Sequence, residues 1–305
     1  MQSSDEHLER ALSEYNEAVN RLEADGPSTE LLDALINRGR ILSMMDSWVT
    51  AMEDFNDAVD IIDTLSREGK KVDAGTYVMA YISRGILQGE KDDKAMYDDY
   101  MAASVRLPEV GEKSRFYDRK SLIKECIDCA GDLVEADLQD GADPFIEKAL
   151  SLLVGYDDPW SRNRYFEAMS ARGQTLMLNS DNVPAIKAFD ETIRVGEELL
   201  SDGELDDELL LVYAYVSRGD MESDEKMSDA FFTDRERAIG LMKEMMDNNA
   251  LEDVELLSEL HGEIAKAYME KGDMKKAESH LLKQVSLNLN GAKGYMDENN
   301  LGPRD

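Results

Sequence analysis

The chain has 305 residues, 42% of them hydrophobic and 33% charged, with a formal net charge of −32. That is enough apolar material for a folded core, while so acidic a balance excludes duplex DNA, RNA and anionic lipid surfaces as expected partners, because phosphate contacts need Lys or Arg. Two Cys residues, an acidic start over Met1–Leu8 and a longest apolar run of only Leu209–Val216 argue for a cytoplasmic protein with no disulfide framework, secretory leader or membrane span.

Only six Pro interrupt a chain rich in Leu, Met, Ala, Glu and Lys, which favours an all-α fold. From the start, Asp5–Ala24 reads as one amphipathic helix with Ala11, Tyr15 and Ala18, a half-unit suited to capping an end over residues 1–26. Gly26-Pro27-Ser28 breaks it, with Ser28 or Thr29 as helix N-cap. A repeated spacing follows: small residue, small residue about twelve on, bulky residue four later, small residue three after that. It reads Gly39–Ala51–Phe55–Ala58, then Gly85–Met96–Tyr100–Ala103, then Ala130–Ala142–Ile146–Ala149. Gly173–Ala185–Phe189–Thr192, Gly219–Phe231–Arg235–Ala238 and Ala265–Ala277–Leu281–Gln284 complete it, the fifth with an unusual bulky residue.

Self-similarity at such a period predicts stacked helical hairpins burying a continuous core. The six hairpins are expected near residues 27–71, 72–110, 111–156, 157–203, 204–249 and 250–288, followed by a flexible tail over 289–305. A Gly or Ala on the first helix opposite an Ala on the second lets two axes approach closely, the bulky residue fills the space one turn later, and the next small residue admits the following hairpin.

These residues resemble the tetratricopeptide family, whose motif places small residues and one aromatic at this spacing. Asn37-Arg38-Gly39 with Asp54-Phe55, and the run from Ala265 through Tyr268 and Gly272 to Ala277, carry the resemblance, which covers residues 5 to 288. The family period is 34; the anchors here stand 43 to 46 residues apart, closer to the lengthened repeats of kinesin-light-chain-like arrays. The resemblance implies an α-solenoid, a single right-handed superhelix, that binds peptides or protein segments in a groove lined by first helices and has no catalytic activity. Members that hold acidic chaperone tails use a Lys and Asn clamp, which the inward positions here do not assemble.

Counting inward from each anchor gives Asn37, Arg40, Asp128, Glu135, Gln174, Asp220, Asp224, Glu263, Lys266 and Glu270 as candidate partner-binding residues. Their acidity favours a basic or amphipathic guest over an acidic one. Arg38, Arg84 and Arg218 each precede an anchor Gly and have Asp54, Asp99 and Asp234 fifteen or sixteen residues on, which predicts an Arg–Asp pair inside each hairpin. Arg172 faces Ala188 instead and is the one of the four available to a ligand. Among early first-helix aromatics, Tyr77, Tyr81, Trp160, Tyr165, Phe166, Tyr213 and Tyr215 are expected mainly in the core.

Cys126 and Cys129 form a lone C-x-x-C within an expected helix, with no second pair and with His7, His261 and His280 remote in sequence. Buried packing thiols are expected, and neither metal nor cofactor. No nucleotide-binding, metalloprotease, hydrolase or di-iron motif occurs, and the paired carboxylates stand mostly where they cap helices. The expected function is a non-enzymatic scaffold or adaptor for a protein segment. The alternative is a sensor closing on a small molecule or signal peptide, and the oligomeric state is left open.

Overall fold

A computed structural model describes residues 2–221, 228–248 and 254–298, with side chains over 6–221, 228–248 and 254–289. The described residues form thirteen α-helices, two single 3-10 turns and no strand. In chain order the helices are α1 (Gln2–Glu23), α2 (Thr29–Met44), α3 (Trp48–Arg67), α4 (Ala74–Gly89), α5 (Asp93–Arg106), α6 (Arg119–Glu135) and α7 (Asp143–Leu153). They continue with α8 (Pro159–Leu178), α9 (Asn182–Asp202), α10 (Glu208–Met221), α11 (Asp229–Asp247), α12 (Glu255–Lys271) and α13 (Met274–Glu298). The chain divides into two compact units, Met1–Gly155 and Tyr156–Asp305. Unit one holds α1 and three hairpins, α2–α3, α4–α5 and α6–α7; unit two holds α8–α9, α10–α11 and α12–α13.

The helix ends follow local chemistry. The Ser28 hydroxyl accepts from the Leu31 amide at 3.2 Å, and Asp92, Asp118 and Asp158 cap α5, α6 and α8 in the same way. Asp73 accepts from the amides of Gly75 and Thr76 at the start of α4 and from that of Arg115 in the later loop. Two boundaries differ from the sequence reading. The third hairpin, expected from near residue 111, starts its first helix only at Arg119, because Phe116 takes a left-handed φ of 58° and Asp118 supplies the cap. At the other end α13 runs to Glu298, so helix enters the segment expected as a flexible tail.

Close approach at the anchors is direct. A Cβ built on Gly39 would stand 2.6 Å from Phe55, on Gly85 2.6 Å from Tyr100, and on Gly173 2.7 Å from Phe189. All three rings are fully buried, as are Ala51, Ala58, Ala185, Ala238, Ala265 and Ala277. At Gly219 the neighbours are Asp234 and Arg235. Gly173, Gly219 and Ala265 of unit two stand 134, 134 and 135 residues after Gly39, Gly85 and Ala130 of unit one, so each unit carries the same order of anchors.

Each expected Arg–Asp pair forms, as a two-pronged fork. Nε and Nη2 of Arg38 bond the two oxygens of Asp54 at 2.8 and 2.6 Å, with equal distances at Arg84–Asp99, and 2.9 and 2.6 Å at Arg218–Asp234. The third guanidinium nitrogen reaches the preceding second helix, at Asn16, Asn56 and Asp190 respectively. One Arg thus ties its own hairpin together and also to its predecessor.

The last hairpin departs from the pattern. Leu281, expected in the bulky slot, is 40% exposed, and the buried face of α13 carries Ala277 and His280 instead. The slot has moved back one residue. His280 Nδ1 lies 2.9 Å from His261 Nδ1, and its Nε2 lies 3.3 Å from Glu236 on α11. Burial, then the charges of Lys243, His280 and Lys283, lowers the pKa of His261 to about 4. Burial also lowers that of His280, with Glu236 opposing and Lys283 and Lys243 assisting. Asp247 on α11 and the Tyr268 ring complete the surroundings of the pair.

Three outcomes are expected. Gly173→Ala destabilises by about 1–3 kcal/mol through the clash with Phe189, whereas Gly240→Ala, which meets nothing within 4 Å, stabilises by about 0.5–1 kcal/mol; urea denaturation of both variants checks this. Arg84→Met costs about 3 kcal/mol by leaving the buried Asp99 without its counter-charge, and adding Asp99→Leu recovers most of it in a double-mutant cycle. The folded histidines protonate at lower pH than unfolded ones, near pH 6.5. Their contribution to stability is therefore present above about pH 6.5 and lost as pH falls toward about 4. Calorimetry should show the wild type losing more thermal stability over that window than a His261→Leu/His280→Leu variant; parallel profiles would refute the effect.

Candidate functional site

In unit two, four of the candidate residues converge. Asp220 of α10 and Glu263, Lys266 and Glu270 of α12 line one cavity of about 200 Å³, with Phe231, Arg235 and Ala267 as its floor. The anchor geometry explains the placement. Asp220 directly follows Gly219, Lys266 directly follows Ala265, and Glu263, Lys266 and Glu270 fall on one face of α12 at three- and four-residue spacing. Asp224 lies outside the described residues.

Arg235 organises this cavity from below. Its side chain is 1% exposed, although it occupies a bulky slot that elsewhere holds an aromatic. Nη2 bonds Asp220, Nε bonds Glu263 at 3.0 Å, Nη1 bonds the Val216 carbonyl at 2.8 Å, and the guanidinium lies 5.0 Å over the Phe231 ring. A buried cation needs hydrogen-bond partners and counter-charge at hand; here each of the three guanidinium nitrogens has a partner, and two of those partners are carboxylates. Its carboxylate partners remain about half exposed at the mouth, Asp220 at 54% and Glu263 at 52%. Three carboxylates and Lys266 thus stand over a floor of Phe231, Ala267 and Arg235, and Arg235 holds two of the carboxylates from beneath.

The equivalent place in unit one, between its second and third hairpins, is also acidic. Glu90, Asp93, Asp132 and Glu135 surround a cavity of about 470 Å³ beside Ile86 and Met96. Here Tyr100 fills the bulky slot and its hydroxyl donates to Asp132 at 2.7 Å. Burial pushes the Asp132 carboxyl above the usual range, and the Tyr100 hydrogen bond opposes that.

The other candidates go elsewhere. Arg40 bonds Glu125 at 2.9 Å and approaches the Met79 sulfur, linking α2 to α6 within unit one. Burial raises the Glu125 pKa, and Arg40 pulls it back. Asn37 donates to the Asp33 carbonyl within α2, and Asp128 accepts from Lys124 one turn earlier. Arg172 is engaged in an interaction of its own, and neither it nor Gln174 lines either acidic cavity. Among the aromatics Phe166 is core, while Tyr213 is exposed. The Tyr215 hydroxyl donates to Glu197, and burial, then that hydrogen bond, raises the Tyr215 pKa to about 12.

Cys126 and Cys129 are both free and fully buried, and burial pushes both thiols up. Among the described residues no three His, Cys, Asp or Glu side chains gather as a metal site, and no helix is long and apolar enough to cross a membrane. The sequence reading missed Arg235 and Phe231 as parts of a site and missed Glu90, Asp93 and Asp132. An Arg standing in an aromatic slot was the available signal for the first.

No protein-family model matches the chain, and no curated protein matches it in sequence. Solved structures do match in shape. The apo form of RapI superposes with a TM-score of 0.57 over 92% of this chain and 76% of that one, at 13% identity. A tetratricopeptide repeat protein from Parabacteroides merdae gives 0.41 at 16% identity, covering 94% of both chains. A signal-transduction ATPase with a tetratricopeptide repeat sensor, from Pyrococcus horikoshii, gives 0.46 at 12% identity; the match covers 94% of this chain and 42% of that longer one. Hairpin anchors, element order and the likeness to RapI together make this an all-α fold of stacked helical hairpins, and tetratricopeptide repeat proteins are among its structural neighbours.

Proposed function

We propose that this protein is a non-catalytic scaffold or adaptor of the cytoplasm that holds a basic or amphipathic segment of a protein partner. In unit two the point of capture is the cavity framed by Asp220, Glu263 and Glu270. The supporting observation is Arg235: a buried guanidinium beside Phe231 and Ala267 that pins two carboxylates at the mouth of the cavity holds them in position before any guest arrives. An incoming Lys or Arg side chain then lays its methylene stem on Phe231 and Ala267 and places its charge among the carboxylates. The surrounding −32 charge would speed encounter with a basic segment, most strongly at low salt.

Fluorescence anisotropy with two labelled amphipathic helical peptides, identical except that one carries Arg where the other carries Glu, tests this reading. The Arg peptide should bind, and Glu263→Gln/Glu270→Gln should weaken it by roughly tenfold at low salt. Equal binding of both peptides, or unchanged affinity in the double variant, would remove the proposal. A variant unaffected by salt but weakened by Phe231→Ala would shift the reading to an apolar guest.

A further inference from the structure

A second cavity of unit two runs against the acidity of the chain. About 230 Å³ in volume, it lies among α11, α12 and α13, where Lys243 and Lys283 face it together with His261. Asp247 stands at the same wall, and Met246 and Leu257 give it an apolar side. The two lysines are close enough that Lys283, after burial, pushes the Lys243 pKa below its usual value, with Glu236 opposing. Two cations crowded in a partly dry cavity, in a protein of net charge −32, suit an anionic guest.

The buried histidine specifies which anion. Glu236 is a carboxylate, so the contact from His280 Nε2 requires a proton on that nitrogen. A neutral His280 then has a bare Nδ1, which accepts from Nδ1–H of His261 across 2.9 Å. His261 consequently carries no proton on Nε2, and no described residue hydrogen-bonds that atom. The chain Glu236–His280–His261 thus leaves an acceptor nitrogen on His261, which lines the cavity together with Lys243 and Lys283.

We propose that this cavity binds a protonated phosphoryl group, either inorganic phosphate or a small phosphate monoester. Lys243 and Lys283 donate to its unprotonated oxygens, and its P–OH donates to Nε2 of His261. Sulfate has the same shape and no proton to give at neutral pH, so it leaves the Nε2 lone pair facing an oxygen lone pair. Sites built around a required hydrogen bond reject such analogues strongly. The apolar side at Met246 and Leu257 suits the organic body of an ester.

Isothermal titration of the full chain with inorganic phosphate, phenyl phosphate and sulfate tests the assignment at about pH 6, where a monoester keeps much of its proton. Phosphate or phenyl phosphate should bind about tenfold or more tightly than sulfate. A tighter phenyl phosphate identifies an ester as the ligand class, and a tighter inorganic phosphate the free ion. Lys283→Met, at an exposed position, should weaken binding by about tenfold with folding intact. His261→Phe should abolish the preference over sulfate. Nitrogen-15 shifts of the His261 ring should report an unprotonated Nε2 in the free protein. Sulfate binding as well as phosphate, silence with all three anions, unaltered affinity in Lys283→Met or a protonated Nε2 would each overturn the proposal.

Discussion

At Gly39, Gly85 and Gly173 the first helix of a hairpin presents bare backbone to an aromatic ring of the second, and that contact sets how near the two axes come. Much else follows from the distance. With the axes so close at Gly39 and Gly85, the residue before the Gly and the residue before the ring lie opposite each other, so Arg38 and Arg84 reach Asp54 and Asp99 with both prongs; Arg218 reaches Asp234 in the same way beside Gly219, where Arg235 stands in place of a ring. The residue after each Gly faces the other way, toward the next hairpin, where Asp220 helps frame the acidic cavity. Packing and site are therefore one arrangement seen from two sides of the same helix turn.

The architecture was legible because it depends on side-chain size at fixed spacing. Every anchor Gly sits at a close crossing or beside the helix opposite, and all three forks were readable from the Arg–Asp separation. Reading failed where a residue broke the size rule. His280 displaced Leu281 from the buried slot because two imidazoles could pair there, a polar match that an apolar pattern does not reveal. The start of α6 was misplaced for a related reason: a left-handed Phe116 and an Asp cap are local events unrelated to the repeat. Inward-facing residues were named by register alone. Register gathered Asp220, Glu263, Lys266 and Glu270, yet it could not foresee that Arg40 would spend its charge on Glu125.

Charge is partitioned unevenly among these features. The fork arginines each answer at least one buried Asp, so much of their positive charge is used inside the hairpins. The acidic cavities and the Lys243–Lys283 cavity are local departures in opposite directions from that background. Within unit two alone, an acidic and a cationic pocket are built on α11 and α12, whose side chains point to different faces as helical periodicity requires.

Tyr100 and Arg235 hold corresponding slots in the two units, one neutral and one cationic, with the adjoining Asp kept in both. The backbone frame tolerates either head group, since each is anchored by a neighbouring carboxylate, Asp132 in one case and Asp220 with Glu263 in the other. A duplicated frame of this kind can change its selectivity by altering one plug residue and the acids it recruits, leaving the scaffold untouched. Two acidic cavities of different chemistry can then arise on a single polypeptide without altering the hairpins that carry them.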